Sequence, residues 1–232
     1  VGEIRVTVAR ERRPRLRDLR GGAFGLLPIV WVGIGLSVLQ QFVGINVIFY
    51  YSTALWSAVG FSEQSSLAIT VITSVVNIAT TFVAIALVDR VGRRPLLLIG
   101  SIGMSVTLAG LAVVFGTAPL VNGQPTLHGA AGPIALIAAN LFVVFFGFSW
   151  GPVVWVLLGE MFPNRIRAIA LSVAAAAQWL ANFVISTTFP PLQQAGLGLA
   201  YGIYAAFAVI SIFFVLGFVR ETRGKELELM EG

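Results

Sequence analysis

The chain has 232 residues, 57% hydrophobic and only 11% charged, where a soluble domain carries about a quarter charged residues; this deficit places it in a lipid bilayer. It has no cysteine and a single histidine, His128, which excludes disulfides and Cys- or His-rich metal sites. The net charge of +5 does not mark a nucleic-acid partner, because the basic residues stand in short clusters between apolar blocks and form no patch interleaved with aromatics.

Residues 1–23 are polar and basic, with Arg10, Arg12, Arg13, Arg15, Arg17 and Arg20. They read as a cytoplasmic linker in which Leu16 and Leu19 form a short amphipathic turn on the membrane surface. Six apolar segments follow, at 24–57, 66–88, 95–117, 131–159, 168–190 and 199–219. Each reaches the roughly 20 residues that cross a bilayer as helix. The expected organisation is therefore an all-α integral membrane bundle over 24–220, followed by a cytoplasmic tail over 221–232. The first and fourth segments exceed the required length, so tilting, kinking or protrusion is expected there.

Orientation follows from counting. All fifteen Lys and Arg fall in 1–23, 89–94, 160–167 and 220–232, while the loops near 58–65, 118–130 and 191–198 hold none. Under the positive-inside rule both ends of the segment are cytoplasmic, in a multi-pass protein of the cell membrane.

Glycine and proline are frequent within the spans. At Gly33, Gly35, Gly100 and Gly103 they read as close helix packing through small residues. At Gly44 and at Gly151-Pro152 polar side chains cluster beside the weakened backbone, and a helix break is expected. Broken helices at mid-membrane are where transporters place their substrate sites.

The first span holds Gln40, Gln41 and Asn46, then Tyr50 and Tyr51. On a continuous helix Gln41 and Asn46 lie about 140° apart, so a bend at Gly44 is needed to turn both into one cavity. The second span carries a stripe of Thr70, Thr73, Ser74, Asn77, Thr80 and Thr81. Its hydroxyls can satisfy themselves on preceding carbonyls. Asn77 cannot do so fully, and reads equally as a ligand or as packing. In the fourth span Trp150 and Trp155 flank Gly151-Pro152; Trp155 reads either as part of an interfacial belt or as turned inward by the kink. In the fifth, Gln178 and Asn182 share a face beside Trp179.

Neutral amides offer both donors and acceptors, and indoles offer an apolar face with one N–H. Together they suit a neutral polyhydroxylated solute such as a sugar, and suit a lipid or ion poorly. None of the acidic residues falls mid-membrane, so this segment carries no intramembrane proton relay. At the cytoplasmic ends, Asp89 and Glu160 lie near Arg93, Arg94 and Arg167. These residues either enforce topology or form an ion-pair latch that ties helix ends in one conformation and releases them in another. No nucleophile–base pair, metal cluster or phosphate loop points to an enzyme, and no cofactor is expected.

Four motifs, QQFVGINVIFYY (40–51), DRVGRRP (89–95), SWGPVVWVLLGEMFPNRIR (149–167) and AAQWLANF (176–183), resemble those of the sugar porter family of the major facilitator superfamily. The likeness is greatest to bacterial xylose–proton symporters and then to glucose facilitators. The resemblance covers about residues 24–225 and implies the C-terminal half, helices seven to twelve, of a twelve-helix transporter built as a three-plus-three inverted repeat. It implies that Gln40, Gln41, Asn46, Asn77 and Gln178 bond the sugar, that Trp155 and Trp179 line it, and that Tyr50 and Tyr51 belong to a gate. It also implies that Asp89, Arg93, Arg94, Glu160 and Arg167 form the cytoplasmic latch. The partners so implied are a monosaccharide, the bilayer, the N-terminal six-helix half and, for a symporter, a proton. The family's terminal motif Pro-Glu-Thr-Lys/Arg-Gly appears as Arg220-Glu221-Thr222-Arg223-Gly224, a departure at its first position. The expected function is that of the C-terminal half of a hexose or pentose transporter working by alternating access, with sugar–proton symport expected of the full-length protein; facilitated diffusion, a sensor on the same scaffold and a dimerising half-transporter are the alternatives.

Overall fold

Helices dominate because each span must satisfy its own backbone in hydrocarbon. The computed structural model describes residues 15–22, 24–121 and 124–224. The linker expected over 1–23 and the tail expected over 221–232 therefore lie largely outside the described residues. Among those described, nine α-helices build six membrane-crossing units. The first unit is broken into α1 (Pro28–Phe42), α2 (Ile45–Tyr50) and α3 (Ser52–Ala58). The second and third are continuous, α4 (Glu63–Val91) and α5 (Arg93–Gly116). The fourth is broken into α6 (Ala131–Gly147) and α7 (Trp150–Met161), and α8 (Arg167–Ala195) and α9 (Leu197–Phe218) complete the set. One two-residue antiparallel pair, Leu120–Val121 with Gln124–Pro125, closes the loop after α5. The chain is a multi-pass membrane protein.

Both expected breaks occur, and in a three-plus-three arrangement the two broken units occupy corresponding positions. The first lies at Gly44, in the left-handed region at φ 82°, ψ 20°. The second lies upstream of its expected place, at Phe148-Ser149, with Gly151 and Pro152 inside the first turn of α7. Proline removes the bond to the carbonyl four residues back and its ring crowds that carbonyl. For Pro152 that residue is Phe148, which is where α6 ends.

The fifth unit differs from its expected end at residue 190. Helix α8 continues through Pro190 and Pro191 to Ala195. Pro190 leaves the carbonyl of Ser186 without its helical donor. The Tyr51 hydroxyl donates to that carbonyl at 2.8 Å, so a neighbouring helix supplies the missing bond and the helix need not stop.

Four glycines lie at close helix contacts as expected. A Cβ at Gly33 would strike Phe162, at Gly35 Phe214, at Gly100 Ser149 and at Gly103 Phe145. The expected surface turn is a 3₁₀ turn over Leu16–Leu19. Leu19 is buried in the protein core and only Leu16 stays exposed, so the turn is anchored in the bundle.

Candidate functional site

A cavity of about 320 Å³ opens where the broken helices converge. Gln40 and Gln41 reach it from the end of α1, Asn46 and Tyr50 from α2, Asn77 from α4, Trp155 from α7, and Gln178, Trp179 and Asn182 from α8. Ile45, Phe49, Phe146 and Gly151 complete the wall. Among the described residues, none that lines it is charged at neutral pH. The seven residues expected to bind substrate are thus gathered in one cavity, with Tyr50 at its edge.

Local geometry accounts for this convergence. The bend at Gly44 swings Asn46 back so that its Nδ2 donates to Gln41 Oε1, a contact a straight helix would forbid. The side of Gly44 where a Cβ would sit is filled by the Tyr204 ring, whose nearest atom lies 2.6 Å from that position. Asn77 reaches the cavity because Gly147 lets α4 and α6 meet closely; Thr80 Oγ1 occupies the space of the missing Cβ. The neighbouring hydroxyls of the stripe bond mostly along their own helix: Ser74 donates to Thr70 O, Thr80 to Val76 O and Thr81 to Asn77 O. Asn77 and Gln178 keep their amides free of protein partners among the described residues.

The two tryptophans of the fourth unit divide. Trp155 is 41% exposed and lines the cavity. Trp150 is fully buried, its Nε1 donating to Leu97 O at 3.0 Å and to Ser101 Oγ at 2.9 Å. Tyr51, expected at a gate, lies outside the cavity lining, with its hydroxyl on Ser186 O and its ring 4.8 Å from that of Phe189. Asn182 is an additional wall residue; its Oδ1 accepts from Ser186 Oγ at 3.0 Å and its Nδ2 lies 3.5 Å from the Tyr50 hydroxyl.

At one end of the bundle the charged loops meet. Arg93 is buried and binds Glu160 through two parallel bonds, Nε to Oε2 at 2.9 Å and Nη2 to Oε1 at 2.6 Å. Such forked pairs are strong and directional. Arg93 also reaches Asp89 Oδ1 at 2.9 Å. The side chains of Arg94 and Arg167, expected in the same cluster, stand apart from it. Arg94 donates to Leu216 O near the end of α9 and Arg167 to Phe162 O. With both Glu160 oxygens bonded by Arg93, the two other arginines settle on carbonyls at helix C-termini, where cations are favoured.

Two further members come from Arg220-Glu221-Thr222-Arg223-Gly224. Thr222 Oγ1 donates to Glu160 Oε2 at 2.6 Å. The Glu221 carboxylate accepts from the backbone N–H groups of Arg93 and Arg94 at 3.0 Å each, and so caps α5 from across the bundle. Gly92, at φ 103°, has Glu221 Oε2 only 2.8 Å from where a Cβ would be. Burial pushes the Glu221 pKa up, but the four backbone donors of Arg223, Arg93, Arg94 and Thr222 outweigh it, and the net shift is downward. The arginine at 220 leaves this turn in place.

The profile of the sugar (and other) transporter family matches residues 15–232. The chain belongs to that family. It is 67% identical over 231 residues to the glucose transport protein of Synechocystis sp., covering 99% of this chain and 49% of the relative. It is 42% identical over 215 residues to the D-xylose-proton symporter of Escherichia coli, covering 90% and 41%. The glucose facilitated diffusion protein of Zymomonas mobilis is 36% identical over 216 residues, covering 90% and 43%. This member of the sugar transporter family thus spans about half the length of the curated relatives it matches. Among solved structures, a double-tryptophan mutant of XylE superposes with a TM-score of 0.81 at 38% identity, covering 99% of this chain and 47% of the other. XylE bound to 6-bromo-6-deoxy-D-glucose gives 0.76 at 40% identity, covering 88% and 42%. The fold is that of a six-helix half of the major facilitator architecture.

Glu221, Thr222, Asn182 and Tyr204 are the residues that sequence reasoning did not assign to either constellation. Asn182 carried a signal, its i, i+4 spacing from Gln178. Glu221 and Thr222 carried one in the family motif. Tyr204 carried none, because nothing local distinguishes it from an ordinary bilayer aromatic.

Proposed function

We propose that this chain is the C-terminal half of a monosaccharide transporter that works by alternating access, with 24–220 as its helical bundle and 1–23 and 221–232 as cytoplasmic linker and tail. It sits in the cell membrane with its arginine-rich ends on the cytoplasmic side. The observation that carries this reading is the uncharged cavity itself, in which amides from the broken first unit and from the continuous helices α4 and α8 face two indoles. Hydroxyls on the edge of a sugar match the amides, and its C–H faces match the indoles. Gln40, Gln41, Asn46, Asn77 and Gln178 bond the sugar, Trp155 and Trp179 cover its faces, and Tyr50 stands at the mouth. Asp89, Arg93 and Glu160, joined by Glu221 and Thr222, hold the cytoplasmic helix ends together in one of two conformations.

The test is uptake of labelled D-xylose and D-glucose by the full-length protein in proteoliposomes, as wild type, Gln41→Ala and Trp155→Ala. Losing one or two hydrogen bonds, or an aromatic face, raises the half-saturating concentration by roughly tenfold. Unchanged affinity and rate in both variants would overturn the site assignment. For coupling, we favour sugar–proton symport, in line with the Escherichia coli relative, with the proton carried by the half this chain does not span. Facilitated diffusion is the second reading, supported by the uncharged cavity and by the facilitated-diffusion relative. Uptake with and without an imposed proton gradient separates the two, because only a symporter accumulates sugar against its own gradient.

A further inference from the structure

We propose that Trp150, outside the cavity lining, is a positioning residue that determines which polar atom Gln40 offers to a sugar; the inference rests on the sugar-site reading above. Gln40 is buried, and its Nε2 makes two hydrogen bonds, to the carbonyl oxygens of Trp150 at 2.7 Å and Gly151 at 3.1 Å. A backbone carbonyl only accepts, so the amide nitrogen must face α7. Oε1, buried and without a partner among the described residues, is then the one polar atom of this cavity-lining side chain left unbonded for a ligand. An amide free to turn offers a sugar a donor or an acceptor; this one offers an acceptor only.

The two carbonyls that impose this choice sit one and two residues beyond the break at Ser149, where φ is −127° and ψ is −90°. Helical hydrogen bonding is interrupted there, so the first turn of α7 needs an anchor from outside. The Trp150 indole supplies it by donating to Leu97 O and Ser101 Oγ on α5. Ser101 Oγ in turn accepts from Ser211 Oγ of α9 at 2.8 Å. The chain of bonds therefore starts on α5 and α9, which contribute nothing to the cavity wall, and ends on the polar face of Gln40. Trp150 points about 140° around α7 from Trp155, so the anchor and the sugar-facing indole belong to opposite jobs on one helix.

The experiment uses the full-length protein and inhibition of D-xylose or D-glucose uptake by their monodeoxyfluoro analogues. Fluorine does not donate, so the analogue fluorinated at the hydroxyl that Gln40 accepts loses roughly tenfold in affinity. Gln40→Met identifies that position as the one whose penalty disappears. Trp150→Phe, which keeps an aromatic ring but removes the N–H, is expected to shrink the same penalty to about threefold or less while leaving the ratios at other positions unchanged. A purely structural role would lower the maximal rate for all sugars alike and leave every ratio in place; that result overturns the proposal, as does relief at a different position from that found with Gln40→Met. Should Trp150→Phe fail to reach the membrane, Ser101→Ala removes one of the two indole acceptors and must erode the same ratio, and an unmoved ratio again overturns the proposal. A wild-type protein that transports none of these sugars refutes the sugar-site reading and this inference with it. Transport with an unmoved analogue ratio refutes the inference alone.

Discussion

Gly44 combines a positive φ of 82° with a neighbouring ring, Tyr204, that already fills the space a methyl group would need. Gly44→Ala therefore meets two penalties, about 1–2 kcal/mol for an L-residue in the left-handed region and a further 1–3 kcal/mol or so for overpacking. The full-length variant should unfold at a lower temperature in detergent, and its sugar affinity should fall as well, because the bend places Gln41 against Asn46. A variant with the wild-type melting point would refute the role given to the ring. The bend was legible in the sequence, since a period of 3.6 residues cannot bring Gln41 and Asn46 to one side without it. Tyr204 was not, because its contact with Gly44 spans the bundle. The same limit separated the two tryptophans. Hydropathy treats Trp150 and Trp155 alike, and only the packing of α7 on α5 shows that one is an anchor and the other faces the cavity.

Prolines set the form of the elements, and in opposite ways. Pro152 ends α6 four residues upstream, whereas Pro190 leaves α8 intact because Tyr51 bonds the carbonyl it frees. Local rules identify the carbonyl that loses its donor, but not whether a partner waits on another helix. Tyr51→Phe should strand the Ser186 carbonyl in the bilayer and destabilise the protein by about 1–3 kcal/mol. Pro190→Ala restores the N–H within α8. In the double variant the tyrosine hydroxyl is no longer needed, so the loss from Tyr51→Phe should largely vanish. Thermal unfolding of the two single variants and the double variant measures this coupling, and simple additivity would show that the Tyr51–Ser186 bond does not sustain the helix.

At the scale of the molecule, the charged end of the bundle gathers the second-to-third, fourth-to-fifth and terminal segments through Arg93, Glu160, Thr222 and Glu221. Charge spacing alone made Asp89, Arg93 and Glu160 legible as partners, but it gave Arg94 and Arg167 equal standing. Geometry ranks them, because one carboxylate has room for one forked guanidinium. The Glu221 cap makes this junction sensitive to acid. Its carboxyl is held below the ordinary value of 4.5 because backbone donors outweigh its burial, so the folded state binds that proton less readily than the unfolded chain. The stabilisation is then fully present above the ordinary carboxylate range and is lost as pH falls through the lowered folded value. Melting temperature of the full-length protein should fall as pH is taken from about 6 to below 4. Glu221→Gln should melt lower at neutral pH, since a neutral amide offers one weaker acceptor to the end of α5. It should also show a shallower decline with acid, because the group that titrates is gone. Parallel curves for wild type and variant would place the acid-sensitive group elsewhere. If the junction also holds the cytoplasmic helix ends in one conformation, the two curves converge at low pH, where both proteins have lost the charged cap, and the sugar affinity of the wild type moves toward that of Glu221→Gln over the same interval.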